Sequence, residues 1–443
     1  TDSQTPDSAG TMSAIATGVK TRAGVLSIAQ SAARKDCAAA LAAPALTLWE
    51  LASNSGMATG VVTTARVTHA TPGATFTHSP ERNWENDSDL PAQAVREGCI
   101  DIARQLVETP FGRGFDVLMG GGRKNFMPVT QRDPEEDDKV GERLDGRDLI
   151  ADWKQRHAGG VYVWNKAQLD AAPLDKPLLA LFQPDHMQFE YERPKDTAGE
   201  PTLADMTRAA IARLSRNGNG YVLLVEAGRI DHANHYGNAY RALSDTVAMS
   251  DAVRAANEAT SVDDTLIIVT ADHSHVLNFA GYPKRGNPIL GKVRGGSGED
   301  DDGGLVNDGL GLPYTTLTYA NGPGYTGASS SQPAGPKRYP HMGKEYEAAH
   351  GRPDLRNVDT EDPDYMQETT VPLPNETHGG EDVGIWARGP GSDAIRGSVE
   401  QNAIFHFAAQ AAPHLRAALC AKGLCDANGV PVALPVVEAF KPR

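Results

Sequence analysis

For most of its length the chain alternates short apolar runs that read as strands with longer runs whose apolar residues recur at helical spacing. No other feature limits its fold as much. "LPAQAVREGCIDIARQLVETP" carries Ala94, Val95, Ile102, Leu106 and Val107 at helical spacing and stops at Pro110, which predicts one helix; "FDVLMGGG" follows as a strand ending in glycines. "LLALF" reads as another short buried strand. "TLADMTRAAIARLSRNGNG" predicts a helix opened by Thr202 and closed by Gly218, Asn219 and Gly220, with the strand Tyr221 to Val225 after it. The helix "AYRALSDTVAMSDAVRAANEA" leads into the strand "TLIIVTADH", and "EDVGIWARGPG" with "NAIFHFAAQAA" repeats the order. Alternation of this kind predicts an α/β fold, a mostly parallel central sheet flanked by helices on both faces.

Between Tyr282 and Glu376 the pattern gives way to Gly, Pro, Ser, Asp and Tyr, as in "ANGPGYTGASSSQPAGPKRYP". The predicted organisation is therefore an α/β core from residues 1–281 and 377–443 with an irregular insertion over 282–376. The acidic run Glu299 to Asp302 reads as a solvated loop; it lacks the ordered ligand spacing of a calcium site.

Composition narrows the partners. The 443 residues carry a formal net charge of -15, which argues against a surface built for phosphodiester backbones or anionic lipid, so no specific nucleic-acid binding is expected. Any phosphate must be met by a local device, a metal ion or a single arginine. The longest apolar run, "CAAALAAPALTLWELA", is broken by Pro44 and too short for a bilayer, so no transmembrane or signal segment is expected. Of the four cysteines, Cys420 and Cys425 are spaced for a small covalent loop rather than a zinc knuckle. The even count leaves two disulfides or four free thiols open.

In an open α/β sheet, ligands bind beyond the carboxyl ends of the strands, and that rule selects residues here. "YVLLV" delivers Glu226, and "GRIDHANHYG" places Asp231 and His235 four apart on one face of a helical turn. "TLIIVTA" delivers Asp272, His273 and His275; "VPLPNETHGGED" places His378 before a strand; "VVTTARVTHATPGATF" brings His69 and Thr71 to a strand end. Near the start, "PDSAGTMSAIATGVKT" sets Asp7 and Ser8 at the mouth of a helix, where either could be a simple N-cap. Taken singly, each of these is an ordinary cap or a satisfied histidine. Imidazole with carboxylate suits zinc, and carboxylate with a threonine hydroxyl suits magnesium, so the set implies two kinds of metal site side by side.

These blocks, with "ERNWEND", "VEAGRIDHANH", "VTADHSH" and "NETHGGEDV", resemble the active-site blocks of alkaline phosphatases in the same order. The resemblance spans essentially the whole chain, including "MGGGRKNF", "RLDGRDL" and "YANGPGY", and is nearer the animal and marine-bacterial branch because of His69 and His232. It implies hydrolysis of phosphate monoesters through a phosphoserine at Ser8, with Asp7 orienting the phosphate-binding Arg82. Asp231, His235 and His378 would hold the first zinc, and Asp272, His273 and Ser8 the second. Thr71 and Glu226 would bind magnesium, with His69 and His232 beside it. A calcium site of the animal branch falls at Glu135, Phe182 and Glu200, with Gln183 where the family has a carboxylate. The resemblance further implies disulfides Cys37 to Cys99 and Cys420 to Cys425, a periplasmic or extracellular address, a homodimer, and a crown-like role for the insertion. The family begins with a strand and a D-G-M-G block that these 443 residues lack, so the chain is expected to be N-terminally incomplete, missing a bridging Asp.

Two other readings share the same residues. One keeps the metals but cleaves phosphodiesters or sulfate esters; the other is an inactive secreted protein that binds metal or phosphate. Arg82, Thr71 and Glu226 favour the monoester, because they place positive charge where a dianionic phosphoryl group needs it.

Overall fold

The computed structural model describes residues 2–295 and 303–441; the acidic run Glu299 to Asp302 lies outside them. Five strands form the central sheet: β1 (Ala58–Arg66), β2 (Val117–Gly121), β3 (Val161–Val163), β4 (Leu178–Leu181) and β5 (Tyr221–Glu226). They lie in the order β3-β4-β2-β1-β5 and every neighbouring pair is parallel. Side chains alternate across this sheet into two cores. Val61, Leu118, Leu179 and Leu181 pack on one face with Trp49, Leu106 and Trp153, while Val62, Val117, Met119, Leu178 and Ala180 pack on the other with Met206, Ala210 and Leu214. The period-two pattern with both faces apolar is what drives helices onto both sides, each buried Leu, Val or Met contributing about 1.5–3 kcal/mol.

Further along, β6 (Ile267–Thr270) is followed by the two-residue β7 (Ser274–His275) and by β8 (Leu277–Phe279). Between residues 282 and 376 lie β9 (Leu317–Gly322) and β10 (Thr369–Pro372), and β11 (His378–Gly379) and β12 (Ile385–Arg388) follow. β12 runs antiparallel to β6, β11 antiparallel to β7, and β10-β9-β8 make a small sheet. Among the described residues β5 pairs only with β1 and β6 only with β12, and every residue of both strands is half-buried.

One local expectation is corrected. The segment from Ala94 to Val107 is two helices, Ala92–Glu97 and Ile102–Glu108. Gly98 closes the first with φ of +95°, and the Asp101 side chain caps the second by accepting from the Arg104 amide. Val95, expected on the apolar stripe, is 57% exposed because the break turns its helix outward. The helices Leu203–Leu214 and Ala239–Ala259 form where the periodicity puts them, the first capped by Thr202.

The glycines ending β2 bring a remote loop to the sheet. A Cβ on Gly121 would lie 2.1 Å from the Asp185 carbonyl oxygen, so only glycine lets the segment carrying Asp185 and His186 close over the strand end. Cys37 is bonded to Cys99 and Cys420 to Cys425. No helix among the described residues is long and apolar enough to cross a membrane.

Candidate active site

The helix Ser8–Thr17 opens at the carboxyl edge of the sheet, and Asp7 both caps it and reaches beyond it. Its Oδ1 accepts from the Gly10 amide at 3.1 Å, while Oδ2 accepts from the Gly24 amide at 2.9 Å and from the Arg82 guanidinium at 3.1 Å. The cap and the arginine holder are therefore one residue. Ser8 is buried in the first turn with Oγ 3.1 Å from Nε2 of His273. Backbone amides of that turn and the helix dipole favour an anion there.

Asp231 and His235 share the helix Arg229–His235 that follows β5, and His378 faces His275 across the β7–β11 ladder. Three atoms from these elements form a triangle. Asp231 Oδ1 is 3.4 Å from His235 Nε2 and 3.3 Å from His378 Nε2, and the two nitrogens are 3.1 Å apart. A tetrahedral zinc bound at about 2.0–2.1 Å has ligand-to-ligand edges of about 3.3 Å, so the residues fit that ion with one position open. The donor chemistry agrees. His235 Nδ1 donates to the Glu376 carbonyl at 2.7 Å and His378 Nδ1 to the Pro6 carbonyl at 2.8 Å, which leaves both Nε2 atoms as lone pairs in the neutral rings. Two lone pairs and a carboxylate converge on one point, and Asp231 Oδ1 is buried without an aligned hydrogen bond. Burial opposes ionisation of Asp231, yet the imidazoles of His235, His275 and His378 hold its carboxyl well below the usual range.

A second set adjoins the first. His273 Nε2 is 3.3 Å from Asp272 Oδ2 and 3.1 Å from Ser8 Oγ, edges of the same length. Thr11 donates its hydroxyl to Asp272 Oδ2 at 3.1 Å. His273 stacks on His378 with ring centroids 3.5 Å apart, and its Nε2 is 3.9 Å from Asp231 Oδ1, so the two sets are neighbours.

Glu226, at the end of β5, accepts from the hydroxyls of Thr63 and Thr71. Burial pushes its carboxyl up to about 7. Hard oxygen donors of this kind fit magnesium. His69 accepts from Arg82 at 3.2 Å, and His69 and His232 lie with ring centroids 5.3 Å apart. Burial, with Arg82 for His69 and Arg229 for His232, holds both rings far below the ordinary histidine pKa, so both are neutral.

Glu135, Phe182 and Glu200 also come together, but donors occupy the carboxylates. Glu135 accepts from Arg123 at 2.7 Å and from Gln183 at 3.0 Å, and Glu200 accepts twice from the Gln188 amide at 3.1 Å. A guanidinium thus already lies in the cluster, while Asp196 adds a third carboxylate whose Oδ2 is buried without a hydrogen-bond partner among the described residues.

Some residues of the site had no assigned part in the sequence reading. Glu376 is almost wholly buried; its carboxylate accepts from His275 Nδ1 and from the Val276 amide, both at 2.8 Å, while its own carbonyl holds His235. His275 bridges Glu376 and Asp231, its Nε2 3.0 Å from Asp231 Oδ1, and these two carboxylates raise it to about 9 against the opposing effect of burial. Glu376 stands two residues before His378, a strand period that could have marked it, whereas His275, two after His273, already stood among the strand-end candidates without a role. Arg229 begins the helix Arg229–His235, in a block matched by its acid and histidines alone. His186 had no local signal, since a loop delivers it.

A family model described as "Alkaline phosphatase" matches residues 1–414. The tissue-nonspecific alkaline phosphatase of Felis catus is 40% identical over 421 residues, covering 93% of this chain and 74% of that protein. The alkaline phosphatase of Gadus morhua is 39% identical over 419 residues, covering 93% and 81%. Among solved structures, Thermus thermophilus alkaline phosphatase superposes with a TM-score of 0.51 at 31% identity over 64% of this chain; the aligned part spans 51% of that chain. The enzyme of the Antarctic bacterium TAB5 superposes with a TM-score of 0.56 over 93% of this chain and 85% of that one, at 19% identity, which bears on the fold alone. A variant of it holds Mg in a site called M3.

Proposed function

This chain belongs to the alkaline phosphatase family, metal-dependent enzymes that hydrolyse phosphate monoesters, and from that premise we propose how its own residues perform the reaction. Ser8 Oγ attacks phosphorus in line, forming an Oγ–P bond as the bond to the alcohol oxygen breaks. Water then attacks the phosphoseryl group, Ser8 Oγ leaves, and inorganic phosphate is released. Two displacements give net retention at phosphorus. The guanidinium of Arg82, held by Asp7, offers its planar fork to two phosphoryl oxygens, and the first-turn amides face a third.

Asp231, His235 and His378 would hold one zinc, Asp272, His273 and Ser8 a second, and Thr71 with Glu226 a magnesium. When bound, these ions supply Lewis-acid charge that lowers the pKa of an attacking oxygen and stabilises the entering and leaving oxygens. The observation that carries the reading is the convergence of Ser8 Oγ, 3.1 Å from His273 Nε2, on the triangle of Asp231, His235 and His378. The disulfides support a periplasmic or extracellular address. We also propose a homodimer, with residues 282–376 as a crown-like subdomain; sedimentation tests the former.

Acid-quenching the metal-loaded enzyme during turnover of a phenyl phosphate, followed by peptide mass spectrometry, tests the covalent step. Phosphate on Ser8 in the parent and none in Ser8→Ala, with turnover lost, is the expected result. Equal phosphate release by both proteins would refute covalent catalysis at Ser8, and faster cleavage of the corresponding diester would move the assignment to diesters.

A further inference from the structure

Three histidines from remote parts of the chain, His69, His186 and His232, meet beside the proposed magnesium residues with ring nitrogens within 4.8 Å of one another. Their spacing alone would suit a metal, but the hydrogen bonds point elsewhere. His69 Nε2 faces the Arg82 guanidinium at 3.2 Å, and His232 Nδ1 faces the Arg229 guanidinium at 2.9 Å. Both nitrogens of His186 face Arg66, Nδ1 its amide at 3.1 Å and Nε2 its guanidinium at 2.7 Å. Arginine only donates, so the lone pairs of His69 Nε2 and His232 Nδ1, and the single lone pair of a neutral His186, are already engaged.

The three arginines differ in how their charge is met. Arg66 is paired with Glu85 and Asp185, and Arg82 with Asp7. Among the described residues no carboxylate forms an ion pair with Arg229. Its guanidinium lies 3.6 Å over the Phe189 ring, its Nε is buried without a hydrogen-bond partner, and the acceptor of its NH1 is His232. Asp245 and Asp185 offset this buried charge only from beyond ion-pair distance, so an acceptor aimed at the guanidinium matters.

We propose that Arg229 is a positioning residue for phosphate recognition, acting through His232. Donation to Nδ1 fixes the neutral ring as the Nε2–H tautomer, and the unpaired guanidinium behind it polarises that N–H. His232 Nε2 lies 4.0 Å from Asp231 Oδ2, too far for a direct bond and wide enough for an oxygen to sit between. On this proposal that oxygen belongs to the phosphoryl group or to a water bound to it. With these lone pairs engaged by arginines, the histidine trio binds no metal. This inference rests on the phosphatase reading of the site.

The test uses metal-loaded enzyme labelled with 15N-histidine and inorganic phosphate as the probe, comparing the parent with Arg229→Met, Arg229→Lys, His232→Gln and the Arg229→Met, His232→Gln double variant. The parent should show His232 protonated on Nε2. Arg229→Met should lose that tautomer preference and weaken inhibition by phosphate on the order of tenfold to a hundredfold, as expected for loss of a charge-assisted hydrogen bond, with metal content unchanged. Arg229→Lys should restore part of it. The double variant should be no weaker than His232→Gln alone, because both act through one donor. Parent-like phosphate inhibition in Arg229→Met or in His232→Gln, additive losses, or an Nδ1–H tautomer in the parent would each overturn the proposal. So would zinc beyond the catalytic complement shifting the His232 signals. No inhibition of the parent by phosphate would instead sink the phosphatase reading itself, which separates the two failures.

Discussion

His235 and His378 point their Nε2 atoms at each other across 3.1 Å, while each ring donates its other nitrogen to a backbone carbonyl. With both Nδ1 atoms donating to carbonyls, the two Nε2 lone pairs face each other, and a metal cation between them relieves that repulsion. The fold therefore spends stability on holding this cluster, and a metal returns it. Chelated protein should melt at a lower temperature than zinc-loaded protein. At zinc a thousandfold above its Kd the gain is about 4 kcal/mol for one site, and calorimetry with and without chelator checks it.

Glu376 fixes two imidazoles at once, His275 through its carboxylate and His235 through its carbonyl. Glu376→Gln keeps the carbonyl and the volume but replaces a charged acceptor. Zinc affinity at the first site should fall about tenfold, because the carboxylate orients His275, whose Nε2 lies 3.0 Å from the ligand oxygen Asp231 Oδ1. Competition with a zinc indicator dye measures it; unchanged affinity would show that the carboxylate plays no part in holding His275.

Arg82 presents a fork that lysine cannot copy. Arg82→Lys should reduce kcat on the order of 10²- to 10³-fold, the scale of losing one transition-state donor. Asp7→Asn should show a smaller loss in the same direction, since Asp7 still caps the helix through Oδ1 but holds Arg82 less firmly. Steady-state kinetics on one substrate compares the pair.

Burial, with Asp196 and Glu135 close by, pushes Glu200 up to about 8 from an ordinary 4.5. Between those pH values the folded state keeps a proton that the unfolded chain has released, so protons stabilise the fold. That contribution is full below pH 4.5 and is lost as pH rises through about 8. Urea midpoints in chelator should decline across this window, and Glu200→Gln, which has no proton to release, should flatten the decline.

The disulfides differ in what they constrain. Cys37 to Cys99 spans 62 residues and Cys420 to Cys425 spans 5. Loop-closure entropy assigns the long bridge about 4 kcal/mol and the short one about 2 kcal/mol. Paired Cys→Ser variants in denaturant titrations should keep that order.

The alternation of apolar runs was enough to place β1, β2, β4 and β5 and the longest helices, because both sheet faces are buried and the period-two and helical patterns do not overlap; the three-residue β3 is too short to show a period. It failed between Ala94 and Val107, where Gly98 and Asp101 are stop and start signals inside one continuous periodicity. The metal-type residues were legible since they stand at strand ends or four apart on a helix. Pairing between β7 and β11 was not, because two-residue strands carry no pattern, and that ladder sets His275 against His378 and brings Glu376 inward. Arg229 and His186 act through contacts made only when distant loops close over β2 and β5, and no local spacing announces those.

Diffraction from zinc-loaded crystals on either side of the zinc absorption edge tests the central claim most directly. Two neighbouring anomalous peaks are expected, one bounded by Asp231, His235 and His378 and the other by Asp272, His273 and Ser8 Oγ. Zinc located elsewhere, with these side chains left unligated, would contradict it.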